Sequence, residues 1–523
     1  MKKIEPSGET LATCRAHSAA LTLAVLGTLI SGGHAGAQTT PHQASQRGAY
    51  GTGLGQEDLP KGALFEPRIE LAAQYANNIN LAEDGEDQVD TFGIEASPGF
   101  YASYSTGAVQ AAIDYSLIAR AWEDSDYDDV SHQLSANGEW VALPDWFSMS
   151  GQATYGDTIL DAGQGLNYGG LGIFGAGNLA EVATASVRPR LSHRFNDWQF
   201  NADYGYGRTW YLDEGKGQPT VGFVSGGQED SEDQSAGVSF GTAREAGSKL
   251  TGTVFYDWQK SEYDTRLPYE FERVGVDLGL QVSRTLTLVG DVGKESALDE
   301  STTDGGLDSD FWSAGLRWDP NDRTSAEGRY GERFFGDSWS LDVTHRARLL
   351  EFNASYSEAP TVETRELSLG SFDPGTLPPG FPPIDIGILT SLPYVARNAT
   401  ARVTAAGSRT TLTLMAFSLE RDYLAVTQTD ETNFGASFSA DRRLASNLSA
   451  DFTLSYSDYE RSSFELDPSL STISNDKDTT AVFRLNRESG ERLTLTGETG
   501  YLTRSGERDY DGWWVALRGR WAP

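Results

Sequence analysis

The residues that could carry chemistry are few, and most are placed against it. Four histidines lie beyond the N-terminal segment, His42, His132, His193 and His345, and no two stand at metal-ligand spacing. Neither a HExxH pair nor a Ser-His-carboxylate order is present, so a hydrolase is not expected and the chain reads as a non-enzyme. The single cysteine, Cys14, falls in a segment read below as removed on export. Disulfides, thiolate metal sites and cysteine nucleophiles are then excluded, as is a lipoprotein anchor at the cleavage point. Gly170–Gly175 spells GxGxxG but lacks a βα unit, so it reads as a flexible loop. The acidic clusters Glu123–Asp129 and Gln228–Asp233 lack the spacing of a calcium loop. They read as solvated loops, with divalent bridging to lipopolysaccharide phosphates the weaker option. No metal or cofactor is expected.

What remains is a set of charges and rings recurring on the polar face of a period-two pattern. The cations are Arg188, Arg190, Arg194, Arg317, Arg484, Arg518 and Arg520. The acids facing them are Asp114, Asp203, Asp257, Asp277, Asp291, Asp451 and Glu498, and the rings on that side are Tyr101, Trp122, Phe255, Phe311, Phe335 and Trp514. Arg333 and Arg346 are read as flanking a turn at Gly336-Asp337, with Glu327, Arg329, Asp342 and Thr344 on the same wall. Mixed charges facing one another across strands can brace a wall as an ion-pair ladder or can contact a passing substrate. Rings on a polar wall can fill interior volume or stack on sugar faces.

The elements that must hold these groups are strands. In the last one, GWWVALRGRW (Gly512–Trp521), Trp513, Val515, Leu517, Gly519 and Trp521 share one face, and Trp514, Ala516, Arg518 and Arg520 share the other. An apolar face with an aromatic at each end fits a membrane-crossing strand, and the cationic face fits a wet lumen. Near the other end, Ile69, Leu71, Ala73 and Tyr75 alternate with Arg68, Glu70, Ala72 and Gln74, which places a first strand at about Arg68–Tyr75. Trp140, Trp146, Trp198, Trp258, Trp312, Trp318 and Trp339 recur near strand ends in the same way. Connections alternate between short turns and longer polar stretches, as in a meander with two unlike rims, and no blade-length repeat suggests a propeller. The fold class is therefore all-β: a transmembrane antiparallel up-and-down β-barrel of about 22 strands, with 18–22 as the range. The weakest strands are near Val395–Ala405 and Thr410–Leu419.

Composition agrees. With 57 glycines, 11% aromatic residues and a net charge of −34, the chain is neither helical-membrane nor disordered in type, and such acidity excludes nucleic acid as a partner. Lys2, Lys3 and Arg15 precede an apolar run from Ala19 to Ile30 and an Ala35-Gly36-Ala37 cleavage site, a secretory signal over residues 1–37. Residues 38–62 read as a flexible periplasmic leader and residues 63–523 as the barrel, with both termini periplasmic. So short a leader argues against a plugged, TonB-type transporter. The longest connection, Glu358–Leu392, is rich in proline and apolar residues. Phe372, Pro378, Pro379, Phe381, Pro382 and Pro383 make it a candidate constriction, stiffened by fixed φ angles.

Three stretches carry a family likeness: YANNINLAEDG (Tyr75–Gly85) followed by FGIEASPGF (Phe92–Phe100), ALPDWFSMSGQATYG (Ala142–Gly156), and GERFFGDSWSLDVTHRARLLEFNASYSE (Gly331–Glu358). The chain resembles the outer-membrane β-barrel family associated with PEP-CTERM/exosortase systems, a putative porin type of Gram-negative bacteria. That family has no established catalytic residues to carry over. The resemblance implies an outer-membrane barrel and, as the expected role, a passive conduit linked to secretion of exopolysaccharide or PEP-CTERM surface proteins. A non-conducting barrel that docks matrix or partner proteins, and a general solute porin, are the alternatives. Expected partners are outer-membrane lipid and lipopolysaccharide, the barrel-assembly machinery, and polysaccharide or export-system proteins.

Overall fold

Alternation along the chain becomes two faces of one wall. The structure is a computed structural model describing residues 61–523, except 84, 125–126, 160–166, 170–171, 175–178, 214–228, 243–248, 265–267, 300–306, 363–392, 425–429, 463–472, 491 and 507–508. The first quarter of the wall is β1 (Gly62–Ala76), β2 (Thr91–Ser105), β3 (Val109–Trp122), β4 (Asp129–Leu143) and β5 (Phe147–Ile159). Two three-residue strands, β6 (Asn167–Gly169) and β7 (Gly172–Phe174), pair only with each other. The wall resumes with β8 (Leu179–Phe195), β9 (Trp198–Asp213), β10 (Ser231–Thr242), β11 (Leu250–Tyr263), β12 (Tyr269–Gln281) and β13 (Leu286–Asp299). Then come β14 (Leu307–Asn321), β15 (Thr324–Arg333), β16 (Gly336–Arg346), β17 (Leu350–Thr361), β18 (Tyr394–Ala406) and β19 (Thr410–Tyr423). The last are β20 (Glu431–Ala445), β21 (Leu448–Ser462), β22 (Ile473–Ser489), β23 (Leu493–Ser505) and β24 (Tyr510–Trp521).

These make one 22-stranded sheet in which each strand runs antiparallel to its neighbours in sequence. The sheet closes where β24 pairs with β1, from Ile69↔Trp521 to Ala76↔Trp514. Closure leaves no free edge through the paired region, so every ladder N–H and C=O there has a partner. The first strand starts earlier than its hydrophobic pattern, at Gly62, because the pairing with β2 continues down to Gly62↔Ser105. The two weakest strands of the sequence reading are present in full as β18 and β19. An even strand count brings both ends of the described barrel to the short-turn rim.

The outer face is apolar. Leu71, Val254, Leu316, Leu414, Val515 and Leu517 all stand exposed on it. Seven exposed residues that would be costly in water find their reason at its borders: Trp146, Trp198, Trp318 and Trp521 near the short-turn rim, and Trp312, Trp339 and Trp513 toward the other. From Trp513 to Trp521 a strand tilted by about 40° climbs roughly 20 Å, close to the height of the apolar band of a membrane barrel. Lipid is the solvent that such a wall requires.

Candidate functional site: the barrel lumen

Inward side chains on neighbouring strands stand about 4.8 Å apart along the hydrogen-bonding direction. Opposite charges placed there join sideways. On β12–β15 they do so as a continuous ladder. Arg317 Nε donates to Glu327 at 2.6 Å, and Arg329 bridges Glu327 at 2.8 Å and Asp277 at 2.7 Å. Asp291 then receives Arg329 at 3.4 Å and Arg273 at 2.5 Å. Asp257 faces Arg273 across the β11–β12 register. The Arg273 guanidinium lies 4.1 Å from the Phe311 ring centre and 5.2 Å from that of Phe255.

A second ladder crosses the closure seam. Arg484 pairs with Glu498 at 2.6 Å and Asp451 at 3.7 Å, and Glu498 also accepts the Trp514 indole N–H at 2.7 Å. Arg518 on the last strand reaches Glu70 on the first at 2.8 Å, so the seam is tied by side chains as well as backbone. Arg68 holds Asp114 at 2.8 Å and the Ser116 hydroxyl at 2.7 Å, and Arg120 holds Glu95 at 3.0 Å and Asp129 at 3.2 Å. Arg520 faces the lumen at the end of this row. On β8, Arg188 stands opposite Ser150 and Arg190 lies between Ser148 and Asp203 in the register. Arg273, Glu95 and Arg120 belong to the ladders but escape a reading based on isolated charges. Their signal is the cross-strand register, which becomes available only once the pairing is known.

The inward rings do not project. Trp122 lies over Gly93 and Trp514 over Gly500, the residues paired with them across the strand; a Cβ at either glycine would fall 2.4 Å or less from the indole. Both tryptophans and Phe311 are buried. The faces of these three are covered, so they present no stacking platform for a sugar.

At the long-loop rim the segment 77–83 packs on the inner wall, with Asn78 at φ 54° and Leu81 at φ 49°. The Asn78 amide bonds Ala82 N and O and the Asp511 carbonyl at 2.8–3.0 Å, while Asn77 bonds the Trp513 backbone. Ile79 is thereby set on Trp122, and Leu81 on Val482, Leu502, Tyr510 and Trp514. Across the rim, Tyr269, Phe271 and Val362 pack with Phe334 and Leu424. Three ion pairs on two arginines lie beside these clusters: Arg333–Glu295 at 2.8 Å, and Arg504 with Asp476 at 3.0 Å and Asp478 at 2.9 Å, the Arg504 side chain having no exposed surface.

Here the sequence reading needs correction. The turn between β15 and β16 is Phe334-Phe335, not Gly336-Asp337, because Arg333 already pairs with Gly336 in the ladder. Arg346 is not beside Arg333. It ends β16 at the opposite rim and pairs with Glu351 at 3.1 Å, exposed. The candidates Phe372, Pro378, Pro379, Phe381, Pro382 and Pro383 lie outside the described residues.

No family model matches the sequence, and no curated protein matches it. Solved structures of similar outline include the siderophore receptor PirA from Acinetobacter baumannii, at 8% identity and a TM-score of 0.47 over 89% of this chain and 81% of that one. The FrpB iron transporter from Neisseria meningitidis gives 10%, 0.46, 89% and 83%. Pseudomonas aeruginosa FpvA, solved with heterologous pyoverdines, gives 10%, 0.47, 88% and 72%. Identities this low with scores below 0.5 transfer no ligand and no residue role.

The short-turn end differs from the loop end. A recess of about 430 Å³ opens there on the inner wall, lined by Arg409, Thr411, Asp441, Arg442, Arg443, Ser449, Asp451, Arg484 and Asn486 among others. Asp451 is engaged by Arg484 and by the Asn486 amide at 2.9 Å. Arg409, Arg442 and Arg443 have no ion pair among the described residues.

Proposed function

We propose that this barrel sits in the outer membrane of a Gram-negative bacterium, with the short turns and both termini periplasmic, and serves as a passive, gated conduit for hydrophilic cargo. The observation that carries the reading is the inner wall, ionic and hydroxylated from the recess at the short turns to the buried pairs at the loop rim. A barrel with no traffic could fill that space with apolar side chains. The cargo proposed is exopolysaccharide or surface protein of a PEP-CTERM/exosortase system, supported by the likeness of Tyr75–Gly85, Ala142–Gly156 and Gly331–Glu358 to that family. The role is non-enzymatic, with no cofactor. Lipopolysaccharide, the barrel-assembly machinery and export-system proteins are the proposed partners.

One observation favours a second reading, a docking barrel that conducts nothing. Inward Met415, Phe417, Ser437 and Thr453 are each at most 4% exposed, so the β19–β21 wall borders no open water column at that height. In the conduit reading this is the closed state. Planar-bilayer recording separates the two: discrete openings support the conduit, and a silent, correctly folded barrel supports docking. Secreted polysaccharide measured in a deletion strain then separates a dedicated exporter from a general porin. Unchanged secretion, with conductance retained, would favour the porin.

A further inference from the structure

Along the two ladders, Arg68, Arg120, Arg273, Arg317, Arg329, Arg484 and Arg518 are each neutralised by a carboxylate on the same or a nearby strand. The recess at the short-turn end of β18–β22 breaks that rule. It is lined by Arg409, Arg443 and Arg484, and only Arg484 is paired, with Asp451 and Glu498; Arg442, at its edge, lies opposite Thr410 on the parity of Leu412 and so on the outer face. Its lumen side is fixed by parity: Leu412, Leu414, Phe452 and Leu485 on the same strands stand exposed on the outer face. The recess therefore does not open to lipid, and an anionic lipid headgroup is not its natural occupant. Its backbone is set, since the Arg443 N–H donates to the Arg409 carbonyl at 2.8 Å and joins the two neighbouring turns.

We infer that this recess is a binding site for a carboxylate-bearing sugar unit, the anionic end of a hydrophilic polymer entering from the short-turn side. Unpaired guanidinium groups suit a carboxylate, which they can grip with two parallel hydrogen bonds. The same recess holds Asp441, Asp451, Asn486, Thr411 and Ser449. Carboxylates and amides that accept or donate to hydroxyls are what a polyol needs, while two aspartates would repel a compact phosphate dianion. A volume of about 430 Å³ lies in the lower range of small-ligand sites and suits one or two sugar rings. The acidic balance of the whole chain, −34, makes a cationic recess on it a local exception. This inference deepens the conduit reading and rests on it for the direction of entry, but not for binding itself.

The test is calorimetric titration of the full-length barrel in detergent with oligogalacturonate, with neutral malto-oligosaccharide of equal length, and with inorganic phosphate. Binding of the uronate alone, weakened by salt, is the expected result. The variant Arg409→Gln/Arg443→Gln should lose roughly tenfold or more in affinity, in line with loss of charge-assisted hydrogen bonds. The rim variant Arg348→Gln/Arg487→Gln should bind like the unmodified chain. Heat-modifiable migration on gels checks that each variant is a folded barrel. Equal binding of phosphate, or equal loss in the rim variant, would overturn the site as diffuse electrostatics, and no uronate binding would overturn it outright. Binding by a barrel that never conducts would keep the recess and remove the conduit; conductance without binding would do the reverse.

Discussion

At the scale of the residue, each position is decided by which solvent it meets. Leu454 on β21 stands exposed on the outer face, while Ser449, five residues toward the short turns, lines the recess inside. Leu454→Arg should cost roughly 2–4 kcal/mol, the penalty of a cation toward the midplane of the lipid face. Ser449→Arg, with water at hand, should stay within about 0.5 kcal/mol. Urea titration of the two variants in lipid checks this, and equal costs would mean that the strand is set one residue out of register. That parity is legible in the sequence because lipid and water demand opposite side chains at every second position. The pairing of Arg329 with Asp277 and Asp291 is not, since it joins residues 52 and 38 apart through strand neighbours that no local pattern names.

Among the elements, strands are read easily and their connections are not. The alternation in Gly512–Trp521 identifies the closing strand, and its partner is the first one, as the pairing of Ile69 with Trp521 requires. Deleting Gly512–Pro523 should leave β1 and β23 with open edges that lipid cannot satisfy, so assembly should fail and the chain should be degraded. Surface labelling at normal levels would refute the closure. By composition Asn80 to Asp90 is an acidic loop, yet Ile79 and Leu81 pack on the inner wall. The cause is a run of asparagines whose amides satisfy backbone groups, a contact that leaves no periodic trace. Asn78→Ala removes those bonds and places alanine at φ 54°, for about 2 kcal/mol or more. Limited proteolysis should then cut within 77–90 while the barrel stays heat-modifiable. Resistance equal to that of the unmodified protein would show that Asn78 does not hold the loop.

For the whole molecule the two rims are unlike, and the difference sets where a barrier would stand. At the short turns the wall opens into a recess where Arg409 and Arg443 have no ion pair among the described residues. At the loop rim, Leu81 packs on Trp514, Leu502 and Tyr510, Phe334 packs with Tyr269 and Phe271, and Arg504 and Arg333 are neutralised beside them. On the proposed conduit reading, cargo would enter at the first, and the clusters at the second are the candidate barrier. Opening them would expose apolar surface and separate ion pairs that have little or no contact with water. On that reading, this cost is what a partner, a cargo or a membrane force would have to offset. Leu81→Ser/Phe334→Ser weakens both clusters without touching a ladder or the closing strand. In planar bilayers this variant should open more often, or conduct more per opening, than the unmodified barrel at the same voltage. If a folded variant recorded the same open probability and conductance as the parent, the loop-rim clusters would not be the gate.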